Sequence, residues 1–135
     1  LYGLHGDAPH IVLAPNSVAD CAGTTQWAVH LAETLQVPAI VLPDQAMGQS
    51  RVVLDPPADA GFATSRLVVE AGPPAFQRYA ITESGISPMA IPGTRGAVYT
   101  ADGLEHSERG TPSSQAADHA AQLDKRARKL DRADY

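Results

Sequence analysis

Near the start of the chain, His5-Gly6-Asp7-Ala8-Pro9-His10 places two imidazoles and a carboxylate within six residues. Such a set could hold a divalent cation or move protons in general acid–base chemistry. Its spacing matches no established metal signature, and an ordered loop leading into a strand explains the same residues. A second polar run, Glu105-His106-Ser107-Glu108-Arg109, precedes the last helical pattern, where self-pairing or docking is favoured over catalysis. Cys21 is the single cysteine and falls on an apolar helix stripe, so it reads as a small core residue. No Walker loop, G-x-G-x-x-G, G-x-S-x-G or C-x-x-C pattern occurs, which leaves self-sufficient nucleotide, hydrolase or redox chemistry without a basis in motif.

The elements that must position these residues are clearest in the first third. Ile11-Val12-Leu13-Ala14, closed by Pro15, and Ala39-Ile40-Val41-Leu42, between Pro38 and Pro43, are continuous apolar runs of the kind buried on both faces of a parallel sheet. Between them Asn16-Ser17 offers a helix N-cap, with Asp20 three residues beyond Ser17 to complement the dipole. Val18, Cys21, Thr25, Ala28, Ala32 and Leu35, with Leu31 beside them, predict one buried stripe of a helix about 20 residues long, leaving His30 and Glu33 outside it. Strand, helix, strand is a βαβ unit, and two strands need a larger sheet to cover them. Ligands of parallel sheets gather beyond the C-terminal strand ends, which makes Asn16 and Asp44 candidates for a ligand's vicinity. Capping explains Asn16 and Ser17 equally well, whereas no local role is evident for Asp44 beyond that of a turn carboxylate.

Downstream, 16 of the 22 glycines and prolines fall between Pro43 and Pro112. Short strands are expected at 51–54 and 66–69, and the stretch 71–110 reads as a connecting arm laid over another surface. Thr111 as N-cap with Pro112 at the first helical position predicts a helix to about Arg132. Ala116, Ala120, Leu123, Ala127 and Leu130 would form its narrow packing stripe, while Lys125, Arg126, Arg128, Lys129 and Arg132 would form a solvated face.

Composition sharpens the picture. Of 59 apolar residues 23 are alanine, and Leu, Ile, Val and Phe number only 28, material for a thin core. The net charge of −5 argues against a nucleic-acid surface, and no apolar run is long enough for a membrane span. A lone cysteine fits a reducing, cytoplasmic setting. The chain opens on Leu1 rather than methionine, so a fragment or processed chain is expected.

Several longer runs then match one family in order. Tyr2-Gly3-Leu4-His5-Gly6-Asp7-Ala8-Pro9, Leu13-Ala14-Pro15-Asn16-Ser17-Val18-Ala19-Asp20-Cys21, and Asp44-Gln45 to Gly48-Gln49-Ser50 come first. Gly85-Ile86-Ser87-Pro88-Met89-Ala90-Ile91-Pro92-Gly93-Thr94 and Tyr99-Thr100-Ala101-Asp102-Gly103-Leu104-Glu105-His106, continuing to Gly110-Thr111-Pro112-Ser113-Ser114, follow. They resemble the alpha subunit of the 2-oxoacid:acceptor oxidoreductases, the 2-oxoglutarate or pyruvate ferredoxin oxidoreductase family. Residues 55–77 are the least distinctive.

The resemblance implies thiamine diphosphate-dependent oxidative decarboxylation of a 2-oxoacid to an acyl-CoA, with electrons leaving through iron–sulfur clusters to ferredoxin. It implies an α/β fold in which residues 1–50 are the terminal βαβ part of a pyrimidine-binding-type domain. Residues 51–110 would be the Gly/Pro-rich arm, and 111–135 a helix leading to a further domain. A beta subunit would supply the diphosphate and Mg site, and the assembly would be oligomeric. His5 and Asp7 become rim candidates because they follow the family's substrate-binding segment; Asn16 and Asp44 come next. The family's Tyr-Pro-Ile-Thr-Pro segment, its cofactor-activating glutamate and its cluster cysteines have no counterpart in these residues. The chain alone is therefore expected to bind no cofactor or metal and to be inactive. Two other readings remain: a noncatalytic interaction module using the last helix and the arm, and a metal-dependent hydrolase on His5, Asp7 and His10.

Overall fold

The computed structural model describes residues 2–4, 7–58, 61, 66–72 and 74–131. The chain forms two compact units, Leu1–Ser65 and Arg66–Tyr135, so the division falls within the expected arm.

In the first unit β1 (Ile11–Leu13) and β2 (Ala39–Val41) pair in parallel, with Ile11, Val12 and Leu13 opposite Ala39, Ile40 and Val41. Hydrogen bonds from Ile11 N to Pro38 O (2.9 Å) and from Leu42 N to Leu13 O (2.8 Å) extend the ladder at both ends. The crossover is α1 (Asp20–Leu35), 16 residues rather than about 20. Its start is built as the sequence implies: Ser17 Oγ accepts from Asp20 N (3.1 Å), and Asp20 Oδ2 reaches back to accept from Asn16 N (3.0 Å). Two otherwise unpaired amides are thereby satisfied, as in a capping box. The helix ends where Gln36 takes a left-handed conformation (φ 51°, ψ 50°), after which Val37 is buried and Pro38 opens the second strand.

Ala28, Leu31 and Leu35 form the buried line of α1. Thr25, expected on that line, is instead exposed, and its hydroxyl donates to Cys21 O (2.8 Å). A threonine can satisfy its hydroxyl on the preceding turn without entering a core. Leu42, at 55% exposure, and half-buried β1 show that one helix covers only part of a two-stranded sheet. Residues 51–54, expected as a strand, are exposed and form none, for Val52, Val53 and Leu54 have no neighbouring strand to pair with among the described residues.

The second unit is assembled from turns, bridges and one helix. Val69 N donates to Met89 O (2.9 Å) and Met89 N to Leu67 O (2.8 Å), so the strand expected at 66–69 survives as an isolated parallel bridge between Val68 and Met89. Gly72 N donates to Arg95 O (2.9 Å), and a Cβ on Gly72 would stand 2.2 Å from Gly96 O, an approach open only to glycine. Residues 105–113 make a hairpin. His106 bridges Pro112, Ser107 N donates to Thr111 O (2.9 Å), Ser113 N donates to Glu105 O (2.8 Å), and Gly110 (φ 86°) turns the chain.

That hairpin corrects the expected helix start. Pro112 is used in the bridge, and α2 (Gln45–Gln49) having preceded it in the first unit, the last helix α3 runs Ala116–Asp131. Ser113 rather than Thr111 serves the start, its Oγ accepting from Gln115 N (3.2 Å) and donating to Asp118 Oδ2.

The packing face of α3 is also corrected. Of the expected stripe Ala116, Ala120 and Ala127 are exposed and Leu123 and Leu130 half-buried, whereas Gln122 and Lys125 are buried and Arg126, Arg128 and Lys129 half-buried. The reason lies in the partner surface. An irregular Gly/Pro segment has no ladder to absorb its carbonyls, and buried carbonyls need donors. The helix supplies them: Gln122 Nε2 donates to Tyr79 O (3.0 Å) and Arg128 Nη2 to Thr82 O (3.2 Å). Side chains read as a solvated basic face therefore hold residues 79–82, and the supposed arm is folded onto them.

Candidate functional site

The strand-end residues come first. Asn16 and Asp44 each follow the C-terminal end of a strand, and the parallel pairing of Leu13 with Val41 puts those ends side by side. Both residues are exposed. Asp44 does have a local role, contrary to expectation: it is the N-cap of α2, its Oδ1 accepting from Met47 N at 2.7 Å. Asn16 contributes its backbone amide to the Asp20 carboxylate. Asp7 is exposed and lies on the N-terminal side of β1, so the strand separates it from the Asn16 and Asp44 end. His5 lies outside the described residues.

Cys21 is half-buried, with Sγ 3.4 Å from Ser17 O. Trp27 and His30 stack on the outer turn of α1, with ring centroids 5.0 Å apart. Among the described residues no group of three His, Cys, Asp or Glu side chains could hold a metal ion.

A denser polar centre occupies the second unit. Glu105, from the hairpin, meets two side chains of α3: Arg126 Nη1 and Nη2 donate to Oε1 (3.2 Å) and Oε2 (2.9 Å), and His119 Nδ1 lies 2.8 Å from Oε2. Hydrogen bonding from Arg126 dominates its electrostatics and, with His119, holds the carboxyl at about 2. A carboxylate so engaged is a poor base; it is a clasp. Beside it His106 is 5% exposed and stacks flat on Tyr79, with centroids 4.3 Å apart and planes 5° from parallel. His106 Nε2 stands 3.0 Å from Asp102 Oδ1 without making a hydrogen bond. Tyr79 donates to Thr100 O (3.3 Å), and burial raises its hydroxyl above the ordinary tyrosine value.

The sequence marked Glu105 to Arg109 as a self-pairing cluster, and Glu105 does pair within the chain. It gave no sign of Tyr79 or Gln122, and it read Lys125, which is buried, as part of a solvated face. Glu105 and Arg126 are 21 residues apart and Gln122 and Tyr79 are 43 apart, distances over which no helical or strand period operates. The arrangement is suited to fixing a loop assembly, whereas Asn16 and Asp44 at the strand ends of the first unit are exposed.

Residues 2–125 match the family model described as pyruvate flavodoxin/ferredoxin oxidoreductase, thiamine diphosphate-binding. The alpha subunit of 2-oxoacid:ferredoxin oxidoreductase 1 from Sulfurisphaera tokodaii is 34% identical over 137 residues, covering 99% of this chain and 22% of that protein. The 2-oxoglutarate oxidoreductase subunit KorA of Mycobacterium tuberculosis is 34% identical over 134 residues, 97% of this chain and 20% of its own length. Among solved structures, a 2-oxoglutarate:ferredoxin oxidoreductase from Magnetococcus marinus, described with 2-oxoglutarate, coenzyme A and succinyl-CoA bound, matches with a TM-score of 0.86 and 38% identity. That match covers 100% of this chain and 24% of the other. The chain thus spans about a fifth to a quarter of the length of these relatives.

Proposed function

Because the chain belongs to the pyruvate flavodoxin/ferredoxin oxidoreductase family, in its thiamine diphosphate-binding part, we propose that it is a portion of the alpha subunit of a 2-oxoacid:ferredoxin oxidoreductase. The observation that carries this reading is the collinear match over essentially the whole chain, joined to 38% identity with a structure of the same fold. The complete enzyme would decarboxylate a 2-oxoacid oxidatively, form an acyl-CoA and pass two electrons through iron–sulfur clusters to a ferredoxin. A beta subunit would be its partner in a cytoplasmic oligomer.

Within that enzyme the first unit supplies the end of a parallel sheet. Asn16 and Asp44 stand at the strand ends where parallel sheets receive ligands, with Asp7 and His5 as rim candidates before β1. The described residues do not themselves fit a diphosphate or Mg site: Asp44 is engaged by Met47 N, and no three metal-ligating side chains converge. As the family resemblance implies, a beta subunit would supply the diphosphate and Mg site, and residues of this chain would shape the rim of the substrate site. No helix among the described residues is long and apolar enough to cross a membrane.

The test is reconstitution. The full alpha coding sequence co-expressed with its beta partner should reduce ferredoxin or a low-potential viologen dye only when a 2-oxoacid and CoA are both present, and the 135-residue chain alone should not. Dye reduction without CoA, or none by the assembled enzyme with any 2-oxoacid, would remove the proposal.

A further inference from the structure

Residues 90–101 of the second unit frame an open cleft of about 550 Å³. Two turns shape it. Thr94 N donates to Ile91 O (2.9 Å) and Ala97 N to Thr94 O (3.3 Å), and Gly72 N holds the second turn through Arg95 O (2.9 Å). Beyond these turns residues 97–102 run on without turn or bend. Their exposure alternates as in a strand: Ala97 is 5% exposed and Val98 91%, then Tyr99 is half-buried and Thr100 exposed. Tyr99 is pinned by its ring, whose centroid lies 6.2 Å from that of Phe76 and 6.5 Å from that of Tyr79.

The two edges of this stretch differ. Successive residues of a strand turn their N–H and C=O to opposite sides, so Thr100 marks one edge and Tyr99 with Ala101 the other. The Thr100 edge is closed. Tyr79 donates to Thr100 O (3.3 Å), and a Cβ on Gly110 would lie 3.4 Å from Thr100 O and 3.5 Å from Thr100 N, which brings the hairpin turn against it. The other edge is open: among the described residues the amides and carbonyls of Tyr99 and Ala101 meet no hydrogen-bond partner. Tyr99 and Ala101 line the cleft and Thr100 does not, so the bare edge borders that space. Ala90, Ile91 and Pro92 supply apolar wall, and Ile91 is 63% exposed. Arg95 also lines the cleft, exposed, and its guanidinium makes no ion pair or hydrogen bond among the described residues. Glu70, two residues before Gly72, does not take it, and Asp102 accepts from Leu104 N (2.9 Å) beside His106.

We propose that this cleft and the open edge at Tyr99 and Ala101 receive an extended segment of another polypeptide, apolar toward Ile91 and acidic beside Arg95. Main-chain groups select the occupant. An unpaired strand edge satisfies its donors and acceptors by adding a strand, whereas an apolar small molecule would leave them bare. Charge fixes the rest, because the unpaired guanidinium matches a carboxylate and rejects a basic side chain. The cleft is shaped in advance: its turns and the ring contacts of Tyr99 with Phe76 and Tyr79 hold it without a guest, so little ordering cost falls on this side. The proposal concerns the second unit alone and stands whether or not the enzyme reading does.

The probe is a capped peptide, Asp-Val-Thr-Val-Thr, added to the whole chain. Amide resonances of Tyr99 and Ala101 should shift saturably and their hydrogen exchange should slow, with exchange at Thr100 unchanged. The same peptide methylated on its backbone amides keeps the side chains but loses the ladder, and should bind about tenfold more weakly or worse. Arg95→Glu should weaken binding of the Asp peptide about tenfold or more and come to favour a Lys-for-Asp version. Its melting temperature should not change, since the side chain is exposed and unpaired. Ala101→Pro, at another exposed position, removes an edge amide and should weaken both peptides alike. No saturable binding at millimolar peptide, equal binding of the methylated peptide, or indifference to the charge at Arg95 would overturn the site. Sedimentation of the chain alone gives the remaining outcome: self-association that protects Tyr99 and Ala101 would assign the edge to a second copy and overturn the foreign partner.

Discussion

Glu105 and Arg126 face each other across the hairpin–α3 contact in a two-point pair, with N···O distances of 3.2 and 2.9 Å, and His119 closes on the same carboxylate at 2.8 Å. The pair ties a residue before the hairpin turn to the middle of the helix, so its loss should release both. Arg126 and its partners lower the Glu105 carboxyl from 4.5 to about 2. A depressed carboxyl stabilises the fold above the unfolded value and loses that contribution as pH falls through the folded one. The acid limb of stability should therefore lie between about 4.5 and 2. Glu105→Gln should lose about 1 to 2 kcal/mol at neutral pH, discounted for solvent access, and should flatten that limb in urea melts recorded across it.

Lys125 and Lys129 give the opposite limb. Burial, aided by neighbouring cations, lowers both from 10.5 to about 8. Between those values the unfolded chain holds more protons than the folded one, so stability rises with pH from about 8 upward. Tyr79, raised by burial, reverses the trend once the unfolded tyrosine ionises near 10. A maximum on the alkaline side is expected in chloride buffers. Lys125→Met should raise the neutral plateau and shrink the climb; an unchanged pH profile in that variant would refute the assignment.

Two glycines separate steric from conformational demand. Gly72→Ala would drive a Cβ into Gly96 O, a backbone atom that cannot turn aside, and should cost about 2 kcal/mol or more in the second unit. Gly93 has φ 94° but open space around it, so Gly93→Ala should cost only the strain of that conformation, about 1 kcal/mol. Denaturant midpoints of the two variants give the comparison, and equal losses would contradict it.

Legibility in the sequence followed the range of the interactions. The βαβ unit was readable because Ile11–Leu13, Ala39–Val41 and the Ser17–Asp20 cap are all local patterns, each with its own period or spacing. The packing face of α3 was readable only in part, at Leu123 and Leu130. Its alanine spacing satisfies a packing stripe, yet the surface it meets offers carbonyls of Tyr79 and Thr82, which reward Gln122 and Arg128 over alanine. Thr111-Pro112 likewise fits a helix start locally but is captured by the pairing of Pro112 with His106. At the strand ends, topology places Asn16 and Asp44 side by side, while the capping role of Asp44 required knowing that a short helix follows it.

That capping role allows the ligand role of Asp44 to be tested separately. Asparagine caps helices as well as aspartate does, since its side-chain oxygen accepts the same amide bond, but it carries no charge. Asp44→Asn should therefore leave stability within about 0.5 kcal/mol, whereas Asp44→Ala should lose about 1 kcal/mol with the Met47 N bond. In the reconstituted enzyme the two variants then divide the possibilities. If Asp44 only caps α2, Asp44→Asn keeps kcat and KM and only the alanine variant shows a stability defect. If its carboxylate also faces substrate or cofactor at the sheet edge, Asp44→Asn loses activity at unchanged stability, and thermal melting beside steady-state kinetics on the same preparations decides between them.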